Sequence, residues 1–391
     1  MGELYTSLGA SASKAGLHQA LVGAGLETHS GLFAPVLPDV AGDPSYSSFL
    51  HADGAGTKTI VAYLRYRESG DPEVFAGLAQ DALVMNLDDV FCIGSPESML
   101  LSNAIARNSK LIDDTVLEVL LRSYRSLREQ LSTLGIDFAL AGGETADCGD
   151  VVRTLIVDAV LFGRIRNSGL IRATNIAAGD LIVGLSSTGQ AKYEQTPNSG
   201  VGSNGLTLAR HSLLSRKQAA KYPEVLDPGL DEKIAYRGPF GVNDRPAELG
   251  MTVGEALGSP TRTYAPILKA AYAELGSQVH GVIHLTGGGQ TKPLRFGKGL
   301  RFVKDSLFPT PPLFSLIQAH GQVGWKEMYQ VFNMGHRMEL YLPEGSVPRL
   351  IAISEAFGVE AKVIGRVEPQ TVALGERNSL ELVSPHGRFE Y

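Results

Sequence analysis

Asp53-Gly54-Ala55-Gly56-Thr57-Lys58 follows the short apolar run Phe49–Ala52. A strand feeding a glycine-rich turn lets a ligand come close to the backbone, because glycine carries no Cβ. Exposed amides, Thr57 and Lys58 suit phosphate, and Asp53 suits a divalent cation. The spacing is not that of a Walker A loop, which needs Gly-x-x-x-x-Gly-Lys-Ser/Thr. On its own, a turn that touches no ligand is an equal reading.

Downstream, Phe75, Leu78, Ala79, Ala82, Leu83 and Leu87 recur at helical spacing, which predicts one long helix over Pro72–Gly94 with Asp71 as its N-cap. Asp81, Asp88 and Asp89 lie on it among apolar neighbours. Asp81 and Asp88 are seven residues apart, two turns along one face. A carboxylate in such surroundings costs free energy unless it is paired or binds metal; capping or solvated aspartates are the plainer alternative. Ser98–Ala106 reads as a strand. Asp113–Leu134 reads as an amphipathic helix ended by Gly135. Phe138–Ala141 reads as a strand leading into Gly142-Gly143-Glu144-Thr145, and Leu155–Arg166 as a further strand. This order predicts an α+β unit, a mixed sheet with two helices on one face.

The pattern restarts after Ser168–Gly179. Strands are expected at Leu181–Ser186, Val279–Leu285, His336–Tyr341 and Lys362–Val367. Helices are expected at Ser203–Leu214, Pro260–Leu275, Pro312–Ala319 and Val347–Phe357. We therefore expect two domains, 1–170 and 171–391, the second larger and α/β in character. Gln190–Val201 and the Pro/Gly-rich Arg216–Gly258 read as insertions, the latter with little regular structure. Gly200-Val201-Gly202-Ser203-Asn204-Gly205 formally fits Gly-x-Gly-x-x-Gly, but no strand runs directly into it, so a dinucleotide site is rejected. Ser203 and Asn204 at the start of a helix remain candidates for an anion site, with simple N-capping the alternative. His284-Leu285-Thr286-Gly287-Gly288-Gly289 ends a buried strand; three glycines imply close approach to the backbone, and His284 reads as a hydrogen-bonded core residue. Cys92 reads as a buried thiol.

With 43% hydrophobic residues the chain can build a large core, which excludes wholesale disorder. A net charge of −6 disfavours general nucleic-acid binding, and two cysteines cannot form a disulfide scaffold. No run approaches the ~20 apolar residues of a membrane span. The start of the chain lacks a signal-peptide pattern. Gly2 with Thr6 fits a loose lipidation motif, given little weight without a basic cluster. A cytoplasmic protein is expected.

Together these blocks resemble the aminoimidazole ribonucleotide synthetase (phosphoribosylformylglycinamidine cyclo-ligase) family, a PurM-like fold, over nearly the whole chain. The resemblance rests on Asp53–Lys58, Met85–Gly94, Gly142–Ala146, Ser203–Gly205, Ser259–Tyr264, His284–Gly289, Glu327–Tyr329 and Phe332–Gly335, in matching order and spacing. It implies a dimer formed through the first domain's strands. It also implies ATP and Mg²⁺, a small ribonucleotide substrate, and no nucleic-acid or membrane partner. The implied reaction is ring closure of formylglycinamidine ribonucleotide to aminoimidazole ribonucleotide. By the same resemblance Asp53, Asp81, Asp89 and Glu144 would hold Mg²⁺, with Asp88 beside them, and Lys58 and Thr57 would orient the triphosphate near Gly54, Gly56, Gly143 and Thr145. Lys58, Asp81 and Glu144 would be catalytic. Ser203, Asn204, Gly205 and Thr286, Gly287, Gly288 and Gly289 would cradle the ribose phosphate, with Arg262 and Asn333 as substrate or supporting residues.

The chain departs from the family pattern in four ways. Ala55 replaces a usual Val. Asp88 stands where Asn is usual, adding negative charge. Gly202 replaces the histidine of His-Ser-Asn-Gly, for which Tyr193 or Lys192 of an insertion could substitute, and both insertions exceed the family norm. Related enzymes of the fold fit less well: selenophosphate synthetase needs an early reactive cysteine, the hydrogenase-maturation relative a C-terminal one, and thiamin-monophosphate kinase lacks the Thr-Arg-Thr-Tyr block. The amidotransferase-coupled relative that makes the substrate is much longer. The remaining alternative is a nucleotide-binding protein of the same fold, non-catalytic or acting on another acceptor.

Overall fold

A computed structural model describes residues 4–11, 16, 19–20, 23–24, 31–371 and 375–391. Gly2, and most of an expected short helix at Ser13–Val22, lie outside the described residues. The first sheet comprises β1 (Leu37–Pro38), β2 (Tyr46–Gly54), β3 (Glu97–Arg107), β4 (Phe138–Asp147) and β5 (Leu155–Arg166) in the order β1-β2-β5-β3-β4. Only β3 and β4 run parallel, so the sheet is mixed as expected. Helices α1 (Lys58–Ser69), α2 (Ala76–Phe91) and α3 (Asp114–Thr133) belong to this half. Alternate residues of β5 are buried, the signature of a sheet covered on one side. The other face carries Leu50 (62% exposed), Leu100 (41%) and Ile156 (43%).

The second sheet comprises β6 (Leu181–Ser186), β7 (Gly281–His284), β8 (Leu300–Lys304), β9 (His336–Leu342), β10 (Ala361–Pro369), β11 (Ser379–Ser384) and β12 (Gly387–Glu390), in the order β12-β11-β8-β10-β6-β9-β7. Around it lie α4 (Leu206–Leu213), α5 (Val253–Gly258), α6 (Ala265–Leu275), α7 (Pro312–Gly321) and α8 (Val347–Ala356). Every residue of β9 is buried, as in a strand covered on both faces. That burial includes charge. Glu339 accepts from Lys304 (2.5 Å), from a ring nitrogen of His336 (2.9 Å) and from the Tyr341 hydroxyl (2.6 Å). Burial opposes ionisation of Glu339, but Lys304 and His336 outweigh it and draw its pKa down to about 2. Lys304 also donates to the backbone and side chain of Gln290, just after the triple glycine.

One hydrophobic core runs through both halves, from Phe49, Leu101 and Leu161 to Val183, Leu268 and Met338. The element ends differ from expectation in informative ways. Pro72–Phe75 is a separate 3-10 turn, capped where Asp71 accepts from the Glu73 amide, so the helix proper starts at Ala76. β2 runs on to Gly54, and Lys58 already opens α1, which leaves Ala55–Thr57 as the turn. α1 was not expected, because Thr57, Thr59, Ile60 and Val61 are β-branched residues of modest helix propensity. It forms because tertiary packing buries Val61, Ala62, Tyr63 and Leu64. β4 continues to Asp147, so Gly142–Thr145 lie within an edge strand rather than in a turn beyond it. Gly143 is required there, since a Cβ would fall 2.4 Å from the Asn103 side chain. Arg216–Gly258 is mostly irregular but contains helices at Arg216–Lys221 and at α5.

Candidate active site

α2 is buried almost throughout, because it lies between the first sheet, α3 and α6 of the other half. Its aspartates are therefore forced to find partners inside the protein. Asp81 finds Lys58. The ammonium lies 2.6 Å from Asp81 Oδ1, and both side chains are essentially inaccessible. The same oxygen accepts from the Thr261 amide (2.8 Å), the Thr261 hydroxyl (2.5 Å) and the Ser203 hydroxyl (3.2 Å). Lys58 also donates to the Ser259 carbonyl at 2.7 Å. Burial lowers the Lys58 pKa, against the pull of Asp81. The pair thus ties α1 and α2 to two loops of the second half.

Asp88, two turns further on, accepts from the Thr263 hydroxyl (2.6 Å) and the Tyr264 amide (3.1 Å), and burial raises its pKa. Arg337 Nη2 lies 3.5 Å from its Oδ2. Asp89 faces elsewhere: His284 Nδ1 is 2.6 Å from Oδ1 and His51 Nε2 is 3.5 Å from Oδ2. Burial opposes ionisation of Asp89, but its bonds to the two histidines prevail and hold the carboxyl well below the usual range. Burial lowers the His284 pKa, so the ring is neutral near pH 7, with Nδ1–H facing Asp89 and the lone pair on Nε2. His51 is raised overall: burial works against its charge, and the bond to Asp89 more than offsets it.

The four carboxylates expected to share a cation do not converge. Asp53 and Gly143, the neighbour of Glu144, are linked through Ala159 and Asn103, three strand spacings apart, which is roughly 14 Å. Asp53 lies on the same strand face as His51, toward α2. Glu144 is exposed and opposite Ala104, on the open face of the sheet. Asp81 is engaged by Lys58, and Asp89 by two histidines. Among the described residues no group of three or more His, Cys, Asp or Glu side chains forms a metal cluster. Lys58, expected to meet phosphate, is buried, with its donors directed to Asp81, Ser259 and Thr261.

The other candidates divide between ligand-facing and supporting positions. α4 begins at Leu206, after Gly205 at φ +76°, so Ser203 and Asn204 lie before the helix rather than in its first turn. Thr57 reaches across to Thr207, with 3.2 Å between hydroxyls. Gly56, at φ +57°, is exposed beside the Ser203 backbone, while Gly54 packs against Asp158 and Val157. Thr145 is exposed on β4. Thr286, Gly288 and Gly289 are buried and Gly287 is half-buried. A Cβ at Gly289 would meet the carbonyls of Tyr329 and Phe332 at 2.6 and 2.7 Å, so the close approach there is to the protein itself. Arg262 is wholly used in support: it pairs with Glu194 and donates to the carbonyls of Ser186, Thr188 and Gly189. Asn333 accepts from Ser187 and Gly335 and donates to the Gly200 carbonyl. The Tyr193 hydroxyl donates to the Thr263 carbonyl, and Lys192 is exposed beside Gly358, so neither stands in for a histidine at Gly202.

Sequence reasoning missed His51, Thr261 and Arg337. His51 did carry a signal, since it shares a strand face with Asp53. Arg337 carried none.

Several side chains described above carry a buried polar atom without a partner. Asp81 Oδ2, Asn204 Oδ1, His284 Nε2 and Arg337 Nε are four of the eight such atoms among the described residues. Native interiors leave few groups unsatisfied, and each asks for an explanation, such as a ligand.

Two mixed sheets, one in each half of the chain with helices packed on them, place it in the PurM-like class of two-domain α+β proteins. Residues 36–165 match the family described as AIR synthase related protein, N-terminal domain, and residues 177–374 match the corresponding C-terminal domain. The chain belongs to the AIR synthase related protein family. It is 28% identical over 345 residues to a phosphoribosylformylglycinamidine cyclo-ligase of Methanococcus vannielii, covering 88% of this chain and 84% of that one. It is 29% identical over 322 residues to the enzyme of that name from Shouchella clausii, covering 81% and 79%. Among solved structures it is similar to T. maritima PurL complexed with FGAR (TM-score 0.53, 13% identity), covering 92% of this chain and 47% of that one, about half its length. It is also similar to thiamine-monophosphate kinase from Stenotrophomonas maltophilia (TM-score 0.52, 14% identity), covering 93% and 95%. These structural likenesses show the fold.

Proposed function

We propose that the protein closes the imidazole ring of formylglycinamidine ribonucleotide with ATP, giving aminoimidazole ribonucleotide, ADP and phosphate. The names of its relatives support this reading. The observation that carries it in the structure is that Asp81 Oδ2 and Asn204 Oδ1, both buried without a partner, belong to side chains at or next to Ser203, where Gly56 and Thr57 face the second half. The amide oxygen of the substrate is a poor leaving group until phosphorylated; the neighbouring nitrogen then attacks that carbon and phosphate departs. Phosphoryl transfer of this kind asks for positioning and charge neutralisation more than covalent help from the protein.

Each group has a part. Gly56, Thr57 and Ser203 line the seam where a triphosphate would lie. Lys58 acts through Asp81: it fixes Oδ1 and leaves Oδ2 open as an acceptor. His284 Nε2, its ring held by Asp89, is a second buried acceptor without a protein partner. Asn204 offers an unpaired amide oxygen to the substrate. The four-carboxylate set does not fit Mg²⁺. That cation enters only as the companion of ATP, held mainly by phosphate oxygens, and no step here depends on a protein cage for it. The same reading makes residues 1–170 the nucleotide-binding and dimer-forming domain, places 171–391 as the domain that completes the substrate site, and makes the protein a cytoplasmic homodimer.

The purified protein should hydrolyse ATP only when formylglycinamidine ribonucleotide is present, with aminoimidazole ribonucleotide accumulating in equal amount. ATP binding without product would instead favour a nucleotide-binding paralogue. Rescue of a purine auxotroph tests the same point in cells.

A further inference from the structure

Two departures noted in the sequence, the missing histidine at Gly202 and the extra carboxylate at Asp88, meet at one side chain. A Cβ built on Gly202 would lie 3.0 Å from Arg337 Nη1 and 3.3 Å from its Cδ. A side chain at 202 and the guanidinium of Arg337 therefore compete for one volume. On its other flank Arg337 lies 3.5 Å from Asp88 Oδ2, donates through Nη2 to the Arg262 carbonyl, and sits over the Tyr264 ring. It is 3% exposed, and its Nε is buried with no acceptor.

The neighbouring cations are already matched. Lys58 has Asp81 at 2.6 Å and Arg262 has Glu194 at 2.5 Å. Asp88 is held by Thr263 and Tyr264 and stays beyond hydrogen-bonding distance of Arg337. Arg337 thus keeps donor capacity toward the Gly202–Gly205 loop. A guanidinium offers five donors in a fork that matches phosphate oxygens, more than an imidazole can.

We infer that Arg337 is an anion-binding residue of this site, occupying the place of the loop histidine, with Asp88 as its outlying counter-charge. Its ligand is a phosphate group, either the substrate's ribose phosphate or the transferring phosphoryl of ATP. The inference rests on the proposed function only for the identity of the molecule that carries that phosphate.

The test compares wild type with Arg337→Gln. Inorganic phosphate and ribose 5-phosphate should raise the melting temperature of wild type and leave that of Arg337→Gln unmoved. In turnover, Arg337→Gln should raise KM at least about tenfold for one substrate, the scale of one lost charge-assisted bond. A rise for the ribonucleotide assigns the ribose phosphate, and a rise for ATP assigns the transferring group. Equal phosphate stabilisation and unchanged KM values in Arg337→Gln would overturn the inference. Should Arg337→Gln fail to fold, Arg337→Lys, which loses the fork and keeps the charge, should show a smaller phosphate stabilisation than wild type and a raised KM for the same substrate, and wild-type values of both would overturn the inference. If wild type makes no aminoimidazole ribonucleotide, the ring-closure reading falls and the melting data still decide the role of Arg337.

Discussion

Asp81 takes every hydrogen bond on Oδ1 and leaves Oδ2 without a partner in the interior. Replacing it by Asn would swap a fixed charge for a dipole beside a buried ammonium. Turnover of Asp81→Asn should fall by at least ~10²-fold, the scale of losing one preorganised charge in a site. The stranded Lys58 should also cost about 3–5 kcal/mol of stability, read as a lower melting temperature. Normal turnover would show that Asp81 stands outside the chemistry. At this scale the sequence was half legible. An aspartate among Leu83, Val84 and Met85 had to be paired or metal-bound, and that argument from cost was sound. Which partner it would find could not be read, because Lys58 is 23 residues away and Thr261 is 180 away. The same cost argument applied to Asp88 and Asp89, whose partners Tyr264 and His284 come from the other half of the chain. Glu144 was misplaced for another reason. Its glycine-rich context suggested a turn, whereas Gly142 and Gly143 are accommodated inside an edge strand.

Strands and helices with strong periodicity were legible as elements, and the order of strands and helices gave the mixed sheet. α1 was hidden because its β-branched residues argue against a helix that burial then imposes. β8 and the Glu339 network were hidden because charged residues in the middle of a sheet look like surface. The network has a measurable consequence. The folded protein holds Glu339 near pKa 2, below its ordinary value of 4.5, so its contribution to stability is complete above pH 4.5 and is lost as pH falls through about 2. Glu339→Gln should therefore remove one acid-sensitive component from the pH dependence of unfolding. It should also lower stability at neutral pH by about 3–5 kcal/mol, because Lys304 is left buried without its partner. Urea titrations at pH 7 and pH 3 would check both, and an unchanged acid limb would contradict the assignment. Since Lys304 also fixes Gln290, the variant should loosen the turn that follows the triple glycine.

The first sheet leaves one broad face uncovered, with Leu50 and Leu100 both paired to Phe162 and aligned across neighbouring strands. Contiguous apolar surface of this kind marks an interaction site in a stable protein, and a two-fold pairing of identical faces is the commonest solution. If that face forms the proposed dimer, Leu100→Glu should halve the mass measured by sedimentation while leaving each subunit folded. A variant with unchanged mass would place the interface elsewhere. The lysine–aspartate pair has a further consequence at this scale. Its acceptor oxygen draws donors from α1 and from loops around residues 203 and 261, so neither half of the polypeptide can complete it alone. Cleaving the chain into separately expressed pieces, or grafting one onto a foreign partner, would leave Lys58 and Asp81 together in the first piece without the Ser259 carbonyl and the Ser203 and Thr261 donors that complete the pair. The two modules are thus bound to be inherited, and to evolve, as one piece.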